Sequence, residues 1–355
     1  LRIATWSVEL SRAGPGRLIH DLLSGDDPQI AAVLTILGEV DADILLLTEI
    51  DMDPGGATLT VLSDVLAASG LPYPHALALP SNAGLPTGAD LDGDGRLGTA
   101  RDAQGFGRFR GDGAMALLSR FPIDHAGLRD LSDLLWRDLP DAGLPATEDG
   151  APFPSDRARA VQRLSSTGHW IVPVAVPRSG RLKILAFAAT APVFDGPEDL
   201  NGRRNAAEIA LWRHLLDATR PDLLGPPPAP PFAIMGRANL DPVDGEGRHD
   251  AIRALLDDPR LQDPAPESPG GAAAADPDHR GDPARDTVEW QGRALPGNLR
   301  VDYILPSADL SVLDSGVHWP EGAAETVRAA ARHRLVWVDI ARPAPSAESR
   351  AARTP

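Results

Sequence analysis

Four apolar residues followed by a polar turn dominate what this chain can become. Phe232-Ala233-Ile234-Met235 runs into Gly236-Arg237-Ala238-Asn239-Leu240-Asp241-Pro242. An apolar run of this length reads as a buried strand ending at the glycine. Asp241-Pro242 then blocks continuation, because the residue before a proline is pushed out of regular structure. The polar groups of the turn are therefore delivered to the open edge of a sheet, where ligand sites of α/β proteins form.

The rest of the chain supplies partners for that strand. Residues 1–8 alternate apolar and polar as a half-buried strand, and 43–49 form an apolar strand ending in the carboxylate of Glu49. Residues 114–119, 301–305 and 335–340 are further strands, and 170–176 and 182–188 form a pair joined by the turn Pro177-Arg178-Ser179-Gly180. Helical spacing appears at 30–37, with Asp27 and Pro28 as start signals, at 59–68, closed by Gly70, and at 206–218. Residues 79–113 and 137–160 read as loops, 221–231 as a stiff proline spacer, and 263–285 as low-complexity, mobile chain. Strands and helices alternate and no repeat is visible, which favours one layered α/β domain over residues 1–342 and a frayed polar tail over 343–355.

Composition excludes several functions. The absence of cysteine removes disulfides, thiolate metal sites and cysteine nucleophiles. A net charge of -16 repels a phosphate backbone, so nucleic acid is not an expected partner without a local basic patch. No apolar run is long enough to insert in a membrane. The chain starts on a strand without an initiator Met, as a trimmed N-terminus would, which leaves periplasmic or secreted export open beside a cytoplasmic location. No Gly-Lys-Ser/Thr phosphate loop and no G-x-S-x-G elbow is present.

Six blocks in order resemble the endonuclease/exonuclease/phosphatase family in a bacterial branch. They are Thr5-Trp6-Ser7-Val8-Glu9-Leu10; Asp43-Ile44-Leu45-Leu46-Leu47-Thr48-Glu49; Gly105-Phe106-Gly107-Arg108-Phe109 with Ala116 to Ile123; Phe194 to Asn205; Leu299 to Ser307; and His333-Arg334-Leu335-Val336-Trp337-Val338. Gly236-Arg237-Ala238-Asn239-Leu240-Asp241-Pro242 joins them as the counterpart of the family's Gly-Asp-x-Asn-x-Asp-Pro. The resemblance implies a four-layer sandwich of two packed mixed β-sheets flanked by helices, and a metal-dependent phosphodiesterase ancestry.

The resemblance also implies a set of site positions, and four of the seven are substituted. Glu49, Asn239 and His333 are retained, whereas Ser7 replaces an Asn, Ala188 a His, and Arg237 and Arg332 each an Asp. Two carboxylate-to-guanidinium changes shift the pocket by roughly +4 charges, and each like-charge contact with a divalent ion costs about 4 kcal/mol or more. The expectation is a degenerate member with no Mg or Mn at Glu49, acting as a binding or structural subunit with a protein partner or assembly. Arg237 and Arg332 would both turn to Glu49, leaving about one positive charge, so that Arg237, Arg332 and Asn239 hold a small anion. His333 would lack a carboxylate to fix its tautomer. Asp241 and Asp302 take supporting roles in the resemblance, and with Asp244 are the residues able to rescue a metal site. That alternative is a Mg- or Mn-dependent phosphodiesterase or phosphatase with a rearranged site. His169, beside Trp170, reads as structural. Separately, Asp90-Leu91-Asp92-Gly93-Asp94-Gly95 matches the first half of a calcium loop, with Arg101 at the twelfth position and Asp102 next to it. Calcium binding at 90–102 and a plain solvated acidic turn are both open.

Overall fold

The computed structural model describes residues 1–177, 180–290, 296–322 and 324–341. The first strands are β1 (Arg2–Leu10), β2 (Ile44–Ile50), β3 (His75–Leu77) and β4 (Ala114–Ser119). They are followed by β5 (Arg129–Asp130), β6 (Gly168–Val176), β7 (Gly180–Ala188) and β8 (Phe232–Arg237), and then by β9 (Val288–Trp290), β10 (Gly297–Leu299), β11 (Asp302–Pro306), β12 (Val312–Val317) and β13 (Val336–Ile340). The helices are α1 (Arg17–Ser24), α2 (Pro28–Val40), α3 (Ala57–Ala68), α4 (Asp156–Val161), α5 (Leu200–Leu216), α6 (Pro221–Leu224), α7 (Asp250–Leu256), α8 (Pro269–Ala273) and α9 (Ala324–Ala330).

Two mixed sheets result. One has six strands in the order β12-β13-β1-β2-β4-β3 and the other five in the order β11-β8-β7-β6-β5, with β9 and β10 as a separate ribbon. Each sheet contains one central parallel pair, β1 with β2 and β7 with β8. Alternation along the strands divides the core into layers. Ile3, Ile44, Leu46, Met115 and Leu117 of the first sheet meet Val172, Ile184, Ala186, Met235 and Ile304 of the second. The opposite face of the first sheet, with Ala4, Trp6, Val8 and Leu47, is covered by Leu18 and Leu22 of α1, Ile36 of α2 and Leu66 of α3. The outer face of the second, with Leu185, Phe187 and Ile234, is covered by Leu211, Trp212 and Leu215 of α5 and Ile252 of α7. The architecture is an α/β sandwich in four layers.

Several local expectations change. The polar positions of β1 are not solvated: Thr5 and Ser7 are buried, because β1 lies between the helices and the second sheet. α2 starts as its signals require, with Asp27 Oδ1 accepting from Ile30 N at 2.9 Å ahead of Pro28. α1 carries no strong start signal, only the i, i+4 pair Leu18 and Leu22. Part of the proline spacer, Pro221–Leu224, is α6. Residues 263–285 are packed chain rather than mobile: Asp263 grips Arg300 with both oxygens, and Ser268 caps α8 at 3.0 Å from Gly271 N. The turn at 178–179 and the tail at 343–355 lie outside the described residues.

Candidate functional site at the ends of the central strands

The C-terminal ends of β1, β2, β7 and β8 converge on one spot. Gly236 allows β8 to reach it: with φ +143 it passes so close to β7 that a Cβ would stand 1.9 Å from Phe187 O. The strand therefore does not stop at the glycine but runs on to Arg237. Arg237 pairs in register with Ala188 on one side and Asp302 on the other. Residues directly paired across strands share a face, and this row continues the inter-sheet core of Ala186, Met235 and Ile304. Arg237 is consequently buried and turned toward the first sheet.

From that sheet come Ser7 and Glu49. Both β1 and β2 shift register near their ends, and Glu9 and Glu49 stand at φ 52° and 54°. Asn239, in the turn after β8, has φ 53°. Left-handed backbone at a non-glycine residue costs on the order of 1 kcal/mol or more, and such residues gather where side chains must be re-aimed. Here the shift directs the Glu49 carboxylate between the sheets.

Arg237 Nη1 forms an ion pair with Glu49 Oε1, and the same nitrogen lies 3.3 Å from Ser7 Oγ. Ser7 Oγ in turn donates to Glu49 Oε2 at 3.2 Å. Burial alone would push the Glu49 carboxyl up, but Arg237, His333 and the two hydrogen bonds outweigh it and hold the group down at about 2. Ala188 contributes only a methyl group, fully buried. Asn239 turns its amide to Ala189 O at 2.8 Å.

His333 and Arg332 both depart from expectation. His333 does have a carboxylate: its Nδ1 donates to Asp302 Oδ2 at 2.8 Å, and Thr287 Oγ1 donates to the same oxygen at 3.1 Å. The ring is buried, with Trp290 edge-on at 5.5 Å and Trp6 Nε1 bonded to its carbonyl at 3.0 Å. The carboxylate comes from β11, not from the residue preceding His333, and only the sheet register brings the two together. Arg332 does not turn to Glu49. Its Nε is 2.7 Å from Glu9 Oε1 and its backbone N is 2.5 Å from Glu9 Oε2, so Glu9, re-aimed by its own left-handed backbone, retains it at the exposed rim. The surplus positive charge expected in the pocket is thus absent: Arg237 is matched by Glu49, Arg332 by Glu9, and Asp302 adds a further carboxylate. Arg237 Nε and Asp302 Oδ1 are buried without a hydrogen-bond partner among the described residues.

The other candidates are engaged elsewhere. Asp241 accepts from the backbone N of Val243, Asp244 and Arg300, and Asp244 from Arg280 and Gly281. His169 is clasped between Ser165 Oγ at 2.6 Å and Glu208 O at 3.1 Å, and burial pushes its ring down to about 3, as fits a neutral structural histidine. In the acidic loop, Asp94 is exposed and turns to Arg96 N at 2.8 Å. The buried Asp102 takes its place beside Asp90 and Asp92, whose ligand atoms with it lie within 4.8 Å of one another. Among the described residues no other group of three His, Asp or Glu meets that spacing. Asp90 already accepts from Gly93 N and Gly95 N, and Arg101 lies 3.8 Å from Asp92.

The chemistry of the Glu49 donor set does not fit a divalent cation. One oxygen is bonded to a guanidinium, the other to a hydroxyl, and the neighbouring carboxylate Asp302 is bound to His333 and Thr287. A hard cation needs several oxygens free to coordinate.

Comparison with known proteins places this arrangement. No curated protein sequence matches the chain. Among solved structures, an endonuclease/exonuclease/phosphatase from Beutenbergia cavernae DSM 12333 is similar over 97% of this chain and 72% of its own, with 18% identity and a TM-score of 0.54. The human Nocturnin catalytic domain with bound sulfate anion is similar over 96% and 94%, with 14% identity and a TM-score of 0.51. An endonuclease/exonuclease/phosphatase family protein from Leptotrichia buccalis C-1013-b matches over 96% and 99%, with 13% identity and a TM-score of 0.50. At these identities the structures speak for the fold. The sequence itself matches the model of the Endonuclease/Exonuclease/phosphatase family from residue 5 to 343. The chain therefore belongs to the endonuclease/exonuclease/phosphatase family.

Proposed function

We propose that this protein is a catalytically silent member of its family, serving as a binding or structural subunit rather than as a metal-dependent phosphoesterase. The observation that carries the reading is the Arg237–Glu49 ion pair, which sets a fixed positive group on the carboxylate a metal would need. A guanidinium neutralises that carboxylate but lowers no water pKa, so it supplies no hydroxide nucleophile at neutral pH. A small anion at this pocket would have to compete with Glu49 for Arg237, since Arg332 is committed to Glu9. The old site is thus a structural joint between the two sheets, which leaves the outer surface for a protein partner or assembly.

The second reading is a Mg- or Mn-dependent hydrolase with a rearranged site. It is favoured by the Asp302–His333 pair, which fixes Nδ1 as the donor and leaves Nε2 able to exchange a proton. The deciding experiment is hydrolysis of a generic phosphodiester with Mg²⁺, Mn²⁺ or Ca²⁺. The wild-type protein is expected to be inactive, with Arg237→Asp/Arg332→Asp/Ala188→His gaining metal-dependent turnover. Turnover by the wild type that EDTA abolishes and Glu49→Gln removes would establish the hydrolase instead.

A further inference from the structure

Two of the large apolar side chains exposed among the described residues are aromatic, Phe106 at 67% and Phe194 at 77%. Both sit on loops at the rim of the Glu49 pocket. Residues 105–111 cross that rim. At one end Gly105 passes so close to Ser166 that a Cβ would stand 1.7 Å from its carbonyl oxygen, and at the other Gly111 O accepts from Met52 N at 3.0 Å, just past Glu49. Residues 189–199 leave the end of β7, where Ala189 O holds Asn239.

One turn of α5 fixes the two loops side by side. Buried Arg204 donates to Gln104 O, while Asn201 Nδ2 donates to Val193 O at 2.7 Å and Asn205 Nδ2 to Thr190 O at 2.7 Å. Helix residues three or four apart have Cβ atoms about 5–6 Å apart, so the roots of the loops are neighbours. Phe194 is held at φ 70°, a left-handed conformation that bulky side chains rarely adopt. Such strain gathers where a side chain has to be presented, yet among the described residues the ring joins none of the hydrophobic clusters.

The charges beside the rings differ in sign. Arg110, exposed, follows Phe106 by one turn's spacing, and Glu198, half-buried, follows Phe194 by the same interval. Neither side chain has a hydrogen bond or ion pair among the described residues, whereas Arg108 is bound to Asp112 and Asp199 to Arg248.

We infer that this rim is the interface of a two-fold dimer, in which a second copy of this chain covers the pocket mouth. A two-fold axis between the loops sets residues 105–110 of each copy against 194–198 of the other, the self-complementary packing such symmetry requires. The aromatic rings meet at the centre, and Arg110 of each copy faces Glu198 of the other. Charge selects the occupant. A patch with one free cation and one free anion on adjacent loops complements itself, whereas a nucleic acid or an acidic peptide would meet Glu198 and a net charge of -16. The inference rests on the silent reading, since a mouth that admits no substrate can be covered. Two pairs of rings exposed to this degree contribute on the order of 500 Å² of the roughly 1,200 Å² that a specific interface needs, so the affinity expected is modest.

The test is sedimentation equilibrium of the full chain at about 0.15 M salt, where a Debye length of about 8 Å screens the repulsion between two acidic copies and leaves contact pairs in place. A reversible dimer with a dissociation constant on the order of 10 µM is expected. Phe106→Ser and Phe194→Ser should each weaken it by roughly tenfold. Arg110→Glu and Glu198→Arg should do the same through like-charge contact. None of these side chains lies in the core, so melting temperatures within about 2 °C of the wild type check the fold. The decisive arm is a mixture. Arg110→Glu with Glu198→Arg sets opposite charges at both contacts, so the mixture should associate as the wild type does although neither variant does so alone. A chain that stays monomeric to about 100 µM overturns the proposal and leaves the patch to a different partner. So does a dimer unmoved by Phe106→Ser and Phe194→Ser, or a mixture no tighter than its components. The silent reading is decided separately, by wild-type hydrolysis with and without EDTA.

Discussion

The Glu49 pocket and the 276–286 loop make opposite use of buried carboxylates. In the pocket every acid has a built-in partner: Arg237 for Glu49, Arg332 for Glu9, His333 for Asp302. In the loop Asp286 has none among the described residues, and its neighbours are mostly acids. Burial raises the energy of the charged form in both places, yet Glu49 is held down at about 2 and Asp286 is pushed up to about 7. The difference teaches that a buried acidic position does not mark a cation site by itself. What matters is whether the fold has already supplied the counter-charge.

The largest expected effect comes from breaking the closed side of this contrast. Arg237→Ala leaves Glu49 as a partly buried, unpaired charge and is expected to cost about 3 kcal/mol in urea unfolding. Arg237→Ala/Glu49→Gln should recover most of that loss. A single substitution costing less than about 0.5 kcal/mol would show that the pair holds nothing together.

Acid titration sharpens the same point. The Glu49 carboxyl is depressed in the folded state, so its stabilisation is complete above the unfolded value near 4.5 and is lost as pH falls through about 2. After allowing for partial exposure, the wild type should lose on the order of 2 kcal/mol between pH 5 and 2 that Glu49→Gln does not lose. Parallel curves for the two proteins would remove Glu49 from the account.

Asp286 has the opposite sign. Its folded value is raised to about 7, so the folded state is favoured most below the unfolded value near 3.8 and loses stability as pH rises through 7. Asp286→Asn is expected to melt about 2 °C higher than the wild type at pH 8 and level with it at pH 4. A lower melting temperature at pH 8 would mean that the carboxylate is paired after all.

The smallest effect expected is at the acidic loop. If calcium joins Asp90, Asp92 and Asp102, millimolar Ca²⁺ should raise the melting temperature by about 1 °C and leave Asp92→Ala unmoved. No shift makes the loop a self-satisfied turn, held by the Gly93 and Gly95 N–H groups on Asp90.

Much of the fold was legible because it rests on local pattern. The apolar runs at 43–49, 170–176, 182–188 and 232–235 have the length and flanking breaks of strands, and Asp27-Pro28 marks a helix start that α2 obeys. What escaped the pattern depended on contacts made far along the chain. Residues 263–285 look like low-complexity linker, but Arg300 and the α8 cap order them. Thr5 and Ser7 look solvated by alternation, yet the second sheet covers them.

At the site the division is the same. The amino-acid sequence by itself determined which groups are present: a Glu at the end of one strand, an Arg and an Asn around the end of another, a His before the last, and no cysteine anywhere. The family resemblance then implied that Arg237 and Arg332 stand where carboxylates would be expected. Only the tertiary structure decided how those charges were spent. Arg332 and Glu9 are 323 residues apart, His333 and Asp302 31 apart, and Arg237 and Ser7 230 apart. Sheet register and the left-handed backbone at Glu9 and Glu49 set those pairings. The energy of a charge depends on what stands within a few ångströms and on how much water remains, and neither is a property of its place in the chain.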